Sequence, residues 1–398
     1  MAWDRTCVMD ERMAFIVEYR SGDYCFAELC RRYGVSRGIG YKWRDRYEAE
    51  GPAGLVDRSR APHEPGNALA EELVAAVLAL RGRYPHWGPK KLRARLERDR
   101  PGERVPAQST IGLLLARHGL SRKRRRRRGV PPVASPLWAC AAANDVWGID
   151  FKGWFLTGDG RRCDPLSVSD LATRYVIRLQ ALERADGEHV WPVLDAAFRE
   201  FGAPLVMRSD NGAPFASRAV GGLSQLAVRL IKVGVLPERI EPGKPQQNGR
   251  HERMHGTLKD ETCDPPAASR RAQQRRFDVF VRYFNEERPH EALDQATPAD
   301  CYDPPSRPYS GRLREPEYPD DHQVRRVRSN GEIKWQSKLV FLSEVLIGEP
   351  VGLEEAEDGT WTVRYGPIEI GSIDAQGKFH RPVAAARCRH RAQPQPPG

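Results

Sequence analysis

Cysteine is sparse and unordered in this chain: eight are scattered through 398 residues. None forms a C-x-x-C pair, and Cys25 and Cys30 fall within one helical segment, so neither a zinc ribbon nor a disulfide framework is encoded. A reducing compartment fits that usage. No run of about eighteen apolar residues occurs, and the opening MAWDRTCVMDERMAF is charged, which leaves no candidate membrane span or secretory leader. A G-x-x-x-x-G-K-[ST] loop is also missing, so no nucleotide cofactor is expected. Any reaction must then draw its energy from the bond it acts on. A sustained heptad run, which would specify oligomerisation, is absent too.

What the chain has in excess is positive charge. Lysine and arginine number 64 against 53 acidic residues, a formal charge of +11, which favours a polyanionic partner. The excess is concentrated in RKRRRRR, comprising Arg122, Lys123, Arg124, Arg125, Arg126, Arg127 and Arg128. Such a block repels itself until phosphates neutralise it, and reads as a phosphate-binding arm.

The length suggests two to four domains. Residues 1–50 hold helical periodicity broken at Gly34 and resumed behind Ser36 as an N-cap, a helix-turn-helix pattern. In its second helix Ile39, Trp43 and Tyr47 repeat every four residues toward a core, leaving Arg37, Tyr41, Lys42 and Arg44 to face DNA. Residues 51–67, rich in Gly, Pro and charge, read as a linker. Apolar stripes through Leu69, Leu73, Val77 and Leu80, then Leu92 and Leu96, then Ile111, Leu114 and Leu115 behind Ser109 as a cap, make residues 68–121 a second helix-turn-helix candidate. The arm and a Pro-rich linker occupy 122–136.

Residues 137–303 carry the chemistry. Asp150 lies in VWGIDFKGWF, a strand signal; Asp210 lies in PLVMRSDNGAPF, where an apolar run meets Asn-Gly; Glu252 lies in QQNGRHERMHGTLKDE, in the first turn of an expected helix. Two Asp at strand ends and a Glu on a helix could converge, and their mutual repulsion would call for a divalent cation. Mg²⁺ suits a few carboxylates plus water and phosphate oxygens, and a pair of ions suits in-line displacement at phosphorus. Predicted strands over 146–155, 166–170, 175–179 and 204–208, with helices over 189–201 and 216–233, suggest a mixed sheet flanked by helices. Asp170, a fourth acid on an expected core strand, is assigned a turn or surface role. Lys152 shares a strand face with Asp150 and is placed for a phosphate contact. Glu252-x-x-His255 and Glu287-x-x-His290 also fit a di-iron motif, but Pro289 breaks the second helix. Arg288 and His290 are read as facing DNA or, in preference, as bracing the helix of Glu252.

Together WGIDFKG, SDNGAPF and PQQNGRHE, with a Lys seven residues on, resemble the catalytic core of the DDE transposases of bacterial insertion sequences, relatives of retroviral integrases. The resemblance implies a ribonuclease-H-like α/β core in which Asp150, Asp210 and Glu252 bind two Mg²⁺, with Mn²⁺ able to substitute, and in which Lys259 contacts DNA. It implies double-stranded DNA partners, both element ends and target, a homo-oligomer in the synaptic complex, and a cytoplasmic bacterial protein associated with the nucleoid. Between Asp210 and Glu252 lie 252 − 210 − 1 = 41 residues, longer than is usual for the family, which we assign to a local insertion around Arg229–Arg239. After a linker at 304–323, alternating β-formers over 324–380 predict a small antiparallel β-barrel, and 381–398 a disordered tail. The expected function is metal-dependent DNA cleavage and strand transfer. The alternative is a DNA-binding regulator derived from a transposase with an inactive core.

Overall fold

A computed structural model describes residues 7–58, 69–121, 137–217, 219–241, 244, 247, 249–304 and 307–382. The basic arm Arg122–Arg128 and the tail from 383 lie outside the described residues. The chain divides into two units, Met1–Glu72 and Leu73–Gly398. Among the described residues no helix is long and apolar enough to cross a membrane.

In the first unit three helices, α1 (Val8–Ser21), α2 (Phe26–Arg32) and α3 (Arg37–Glu50), close on Phe15, Ile16, Leu29, Cys30 and Trp43. The turn between α2 and α3 passes through Gly34 at φ 64°, a left-handed conformation that glycine adopts without steric cost. The Ser36 hydroxyl then accepts the Ile39 N–H at 3.3 Å and starts α3. One expectation fails here. Ile39 is 45% exposed, because α3 turns Gly40 inward against Cys30, Phe26 and Phe15 and so rotates the neighbouring position out. The stretch read as a linker also begins inside this unit, since Leu55 is fully buried in the same core and Arg12 donates to its carbonyl at 2.7 Å.

The second helical set is α4 (Glu71–Arg83), α5 (Pro89–Asp99) and α6 (Gln108–Arg117), built around Val77, Trp87, Leu92, Leu96, Ile111 and Leu115. Ser109 does not cap α6; it lies within the first turn, after Ala107.

The six-stranded mixed sheet that follows comprises β1 (Val146–Phe151), β2 (Phe155–Leu156), β3 (Arg162–Asp170), β4 (Val176–Leu182), β5 (Val206–Ser209) and β6 (Leu236–Arg239). Its order is β2-β3-β1-β5-β6, with β4 on the free side of β3. β1 runs antiparallel to β3 and parallel to β5, and β5 runs parallel to β6. Nearly every residue of β1 and β3 is buried, as a sheet covered on both faces requires. One face packs α7 (Gly187–Phe201) and α8 (Gln225–Val233) through Trp147, Ile149, Leu194, Phe198 and Leu230. The other packs α9 (Gly249–Leu258) and α10 (Arg270–Arg282) through Cys163, Met254, Leu258, Phe277 and Phe280. The edge of β4 is closed by side chains: Gln274 pairs with Ala181 N–H and Leu179 carbonyl, and Asn285 with both backbone groups of Val176.

The segment Arg229–Arg239, read above as an insertion, is the end of α8 and the whole of β6. It is part of the sheet, and its Glu238 forms a buried ion pair with Arg208 of β5 at 2.8 Å. Both partners also hold the entering chain: Glu238 accepts Trp138 N–H and Arg208 donates to the Trp138 carbonyl.

The expected β-barrel is not closed. Strands β7 (Gln323–Arg326), β10 (Pro350–Glu355), β11 (Trp361–Tyr365), β12 (Ile368–Ile373) and β13 (Phe379–His380) form an open sheet in the order β13-β12-β11-β10-β7, and among the described residues β8 (Glu332–Trp335) pairs only with β9 (Lys338–Phe341). Closure is replaced by cover: Val351, Leu353, Val363 and Ile370 share one core with Trp335 and Val340 of the hairpin and with Ala227, Val228 and Ile231 of α8.

Candidate active site

Asp150 is the fifth residue of β1, and Asp210 follows the last residue of β5. The parallel register pairs Val146 with Val206 and Gly148 with Arg208. Asp150 lies two residues beyond Gly148 and Asp210 two beyond Arg208, at the carboxyl ends of neighbouring parallel strands. A local turn fixes the second acid: Asp210 Oδ1 accepts Gly212 N–H at 3.0 Å, and the Asn211 side chain donates to the Ile240 carbonyl at 2.8 Å. Glu252 is in the first turn of α9 and exposed. Lys259 opens a π-helical turn, Lys259–Cys263, which continues α9, and is exposed. Among the described residues the three carboxylates do not gather within 4.8 Å of one another; the cluster that does is Asp150, His251 and His255.

These two histidines were not foreseen as part of the site's frame. Gly148 and Asp150 point from β1 toward α9, and opposite them on β3 stand Ser169 and Ser167. His251 sits between the two serine hydroxyls, at 3.4 Å from Ser167 and 3.3 Å from Ser169. His255, one turn on, meets Ser167 Oγ at 2.8 Å through Nε2 and faces Asp150 Oδ2 at 3.8 Å through Nδ1. Ser167 in turn donates to the Asp150 carbonyl at 3.2 Å. Burial pushes His251 down to about 3, with His255 adding to it, and His255 down to about 4, with Lys152 adding to it. Both rings are therefore neutral at neutral pH; His251 engages both serines through its two nitrogens and His255 engages Ser167 through Nε2, while His255 Nδ1 faces Asp150. The signal available in the sequence was the i, i+4 pair His251/His255 beside the alternating serines of SVSD.

Asp170, read as a turn or surface residue, is not on the surface: it is the fully buried last residue of β3, and it holds the turn that follows by accepting Thr173 N–H and the Thr173 hydroxyl, along with Asn144 N–H, each at 2.7 Å. Arg288, read as a brace, donates to Thr257 of α9 at 3.2 Å and to Glu261 at 2.9 Å.

In the first unit Arg37, Tyr41 and Lys42 are exposed on α3. Tyr41 stacks on Phe26 at 4.2 Å. Arg44 is only partly exposed and is paired with Asp45 at 2.6 Å, so its charge is largely met within the protein.

The carboxylate oxygens at the ends of these adjacent parallel strands, with α9 across the same face, are donors of the kind that hard divalent ions take. Residues 141–245 and 233–298 match integrase core domains, 11–63 a helix-turn-helix domain, and 39–115 a homeodomain-like domain. The chain is 33% identical over 232 residues to the 31.7 kDa protein of insertion element IS407 of Burkholderia multivorans, covering 58% of this chain and 80% of that one. It is 33% identical over 181 residues to the 39.2 kDa protein of insertion element IS476 of Xanthomonas euvesicatoria, covering 44% and 50%. The transposase for insertion sequence element IS904 of Lactococcus lactis is 25% identical over 174 residues, covering 43% and 66%. The HTLV-2 integrase catalytic core domain in complex with magnesium overlaps 41% of this chain and 99% of its own, at 14% identity and a TM-score of 0.32. A likeness that low adds nothing to the assignment. The chain belongs to the insertion-sequence transposases with an integrase-like core.

Proposed function

We propose that the chain binds the terminal repeats of its element and catalyses cleavage and strand transfer of DNA, with Asp150, Asp210 and Glu252 as the acids that hold two Mg²⁺. The observation that supports the reading is that β1 runs parallel to β5, with Asp150 near the carboxyl end of one strand and Asp210 just past that of the other, in a member of this family. The donor set fits the ion. Oxygen ligands suit Mg²⁺; of the nearby imidazoles, which would favour a transition metal, both nitrogens of His251 and Nε2 of His255 are bonded to Ser167 and Ser169, while His255 Nδ1 faces Asp150. When bound, the ions supply charge stabilisation for the attacking and leaving oxygens of an in-line displacement.

The protein's own residues do the rest. The Asp150 carbonyl is held from behind by the Ser167 hydroxyl, and Ser167 by His255, so the carboxylate presents from a fixed backbone. Glu252 is exposed on α9, where Arg288 fixes the helix from the other side. Lys152, on the face of Asp150, and Lys259 are two cations for phosphate. Hydrolysis frees a 3′-hydroxyl, which then attacks target DNA, so a phosphodiester is exchanged for a phosphodiester and no nucleotide is consumed. Arg37, Tyr41 and Lys42 of α3, with a smaller share from Arg44, read the element end, and the arm Arg122–Arg128 grips phosphate. Joining two ends calls for a homo-oligomer.

The test is a strand-transfer assay with purified protein, Mg²⁺, the native ends and a plasmid target, run beside Glu252→Gln. Joined products lost on substitution establish the reading. End binding without nicking or joining would leave instead a regulator with an inactive core.

A further inference from the structure

The three-helix module α4–α6 is seated along the chain that follows α10, and the seat is built from aromatic rings. Tyr84 and Trp87 stack at 3.9 Å and 7°, and both face Tyr283, at 5.9 and 6.1 Å. Trp87 is fully buried. Ion pairs Arg83–Glu287 at 3.1 Å and Arg98–Asp300 at 2.9 Å lie alongside. Tyr283 belongs to two cores at once, packing against the cluster of α4–α6 and against the one beneath α9 and α10.

Its hydroxyl is a junction. It accepts Trp87 Nε1–H at 2.5 Å from the module and Arg288 Nη1–H at 3.0 Å from the core. The same Arg288 nitrogen reaches Glu261 at 2.9 Å, and Nη2 reaches Thr257 at 3.2 Å. Arg288 and Glu261 are 12% and 15% exposed, so this pair is little screened. Glu261 and Tyr283 each lie in a π-helical turn, Lys259–Cys263 after α9 and Tyr283–Glu287 after α10, and Arg288 ties one turn to the other. Insertions of this kind leave backbone bonds in looser register than an α-helix, so an outside tie sets the turn's position.

We propose that Tyr283 is a positioning residue through which the α4–α6 module, by way of Trp87 and Arg288, holds the helix that carries Glu252. A DNA end that moves or steadies the module thereby steadies α9. The inference rests on the reading of Glu252 as one of the metal-holding acids.

The experiment uses the full chain. Tyr283→Phe keeps the ring and its stacking but removes the shared acceptor; Trp87→Phe keeps an aromatic ring but removes the indole donor. Hydrogen exchange of residues 251–263 and Mn²⁺ affinity are measured beside the thermal midpoint. Each substitution is expected to speed exchange in that segment about tenfold and weaken Mn²⁺ binding several-fold, with exchange in α7 unchanged. Unchanged exchange over 251–263, or an equal rise in α7, overturns the proposal. Wild-type protein that neither binds Mn²⁺ nor cuts DNA would sink the proposed function instead, and the exchange comparison would still decide the role of Tyr283.

Discussion

Gly148 on β1 and His251 on α9 meet so closely that no side chain fits between them. A Cβ on Gly148 would stand 2.9 Å from His251 Cδ2 and 2.8 Å from Leu171 Cδ2. Real carbon contacts need about 3.5–4.0 Å. The glycine is what lets α9 lie against the strand that carries Asp150.

Gly148→Ala should therefore lower stability by about 1–3 kcal/mol through overpacking and displace α9 from β1. Adding His251→Ala opens room for the new methyl, so the double variant should lose less than the sum of the single losses. Thermal melts of the four proteins check this. Strict additivity would mean the two residues do not meet as described.

Asp210→Asn should abolish DNA cleavage and leave end binding within about twofold, because the carboxylate lies at a strand end remote in sequence from the helix-turn-helix. Gel-shift and nicking assays on one preparation separate the two. Equal loss of both would count against the assigned role.

On α3, Arg37→Ala and Lys42→Ala should each reduce the slope of log binding constant against log salt by about one. Arg44→Ala should change it less, since Asp45 already meets that charge. Replacing Arg124–Arg128 by Ala should flatten the slope most. A slope unmoved by the last change would show that the arm does not touch phosphate.

His290 gives a pH dependence. Burial, with Lys91, Arg288 and Arg174 nearby, pushes it down to about 3, and its Nε2 is buried without a hydrogen-bond partner. The folded state thus binds fewer protons than the unfolded chain between about 3 and 6.5. The stability is present above about pH 6.5 and is lost as pH falls through that window, by up to about 1.4 kcal/mol per unit for one such group. His290→Gln should shrink the drop in thermal midpoint between pH 7 and pH 5. Parallel drops in both proteins would rule out this histidine as a source.

Much of this was legible in residues. VWGIDF and PLVMRS announced buried strands, Ser36 announced the start of α3, and the Pro/Gly/Gln-rich loop before Glu252 announced the start of α9. What was hidden was set by contacts remote in sequence. β6 is LPER, a proline and two charges, which reads as loop until Arg208 is found opposite Glu238. Ile39 was misplaced because Gly40, not spacing, fixes which side of α3 turns in. Alternation along β7–β13 predicts strands but carries no information on closure, which here is pre-empted by α8. The bracing of the Asp150 carbonyl by Ser167, and of Ser167 by His255, joins three elements, so no single stretch displays it.

The shared core of the C-terminal sheet and α8 bears on how such genes decay. A copy interrupted by a stop codon ahead of β7 would still encode both N-terminal helical modules and Asp150, Asp210 and Glu252. Its product, however, would leave Ala227, Val228 and Ile231 of α8 without the sheet that covers them. Broken copies are therefore expected to yield chains that aggregate or are degraded, and so not to occupy element ends as inhibitors of the intact enzyme.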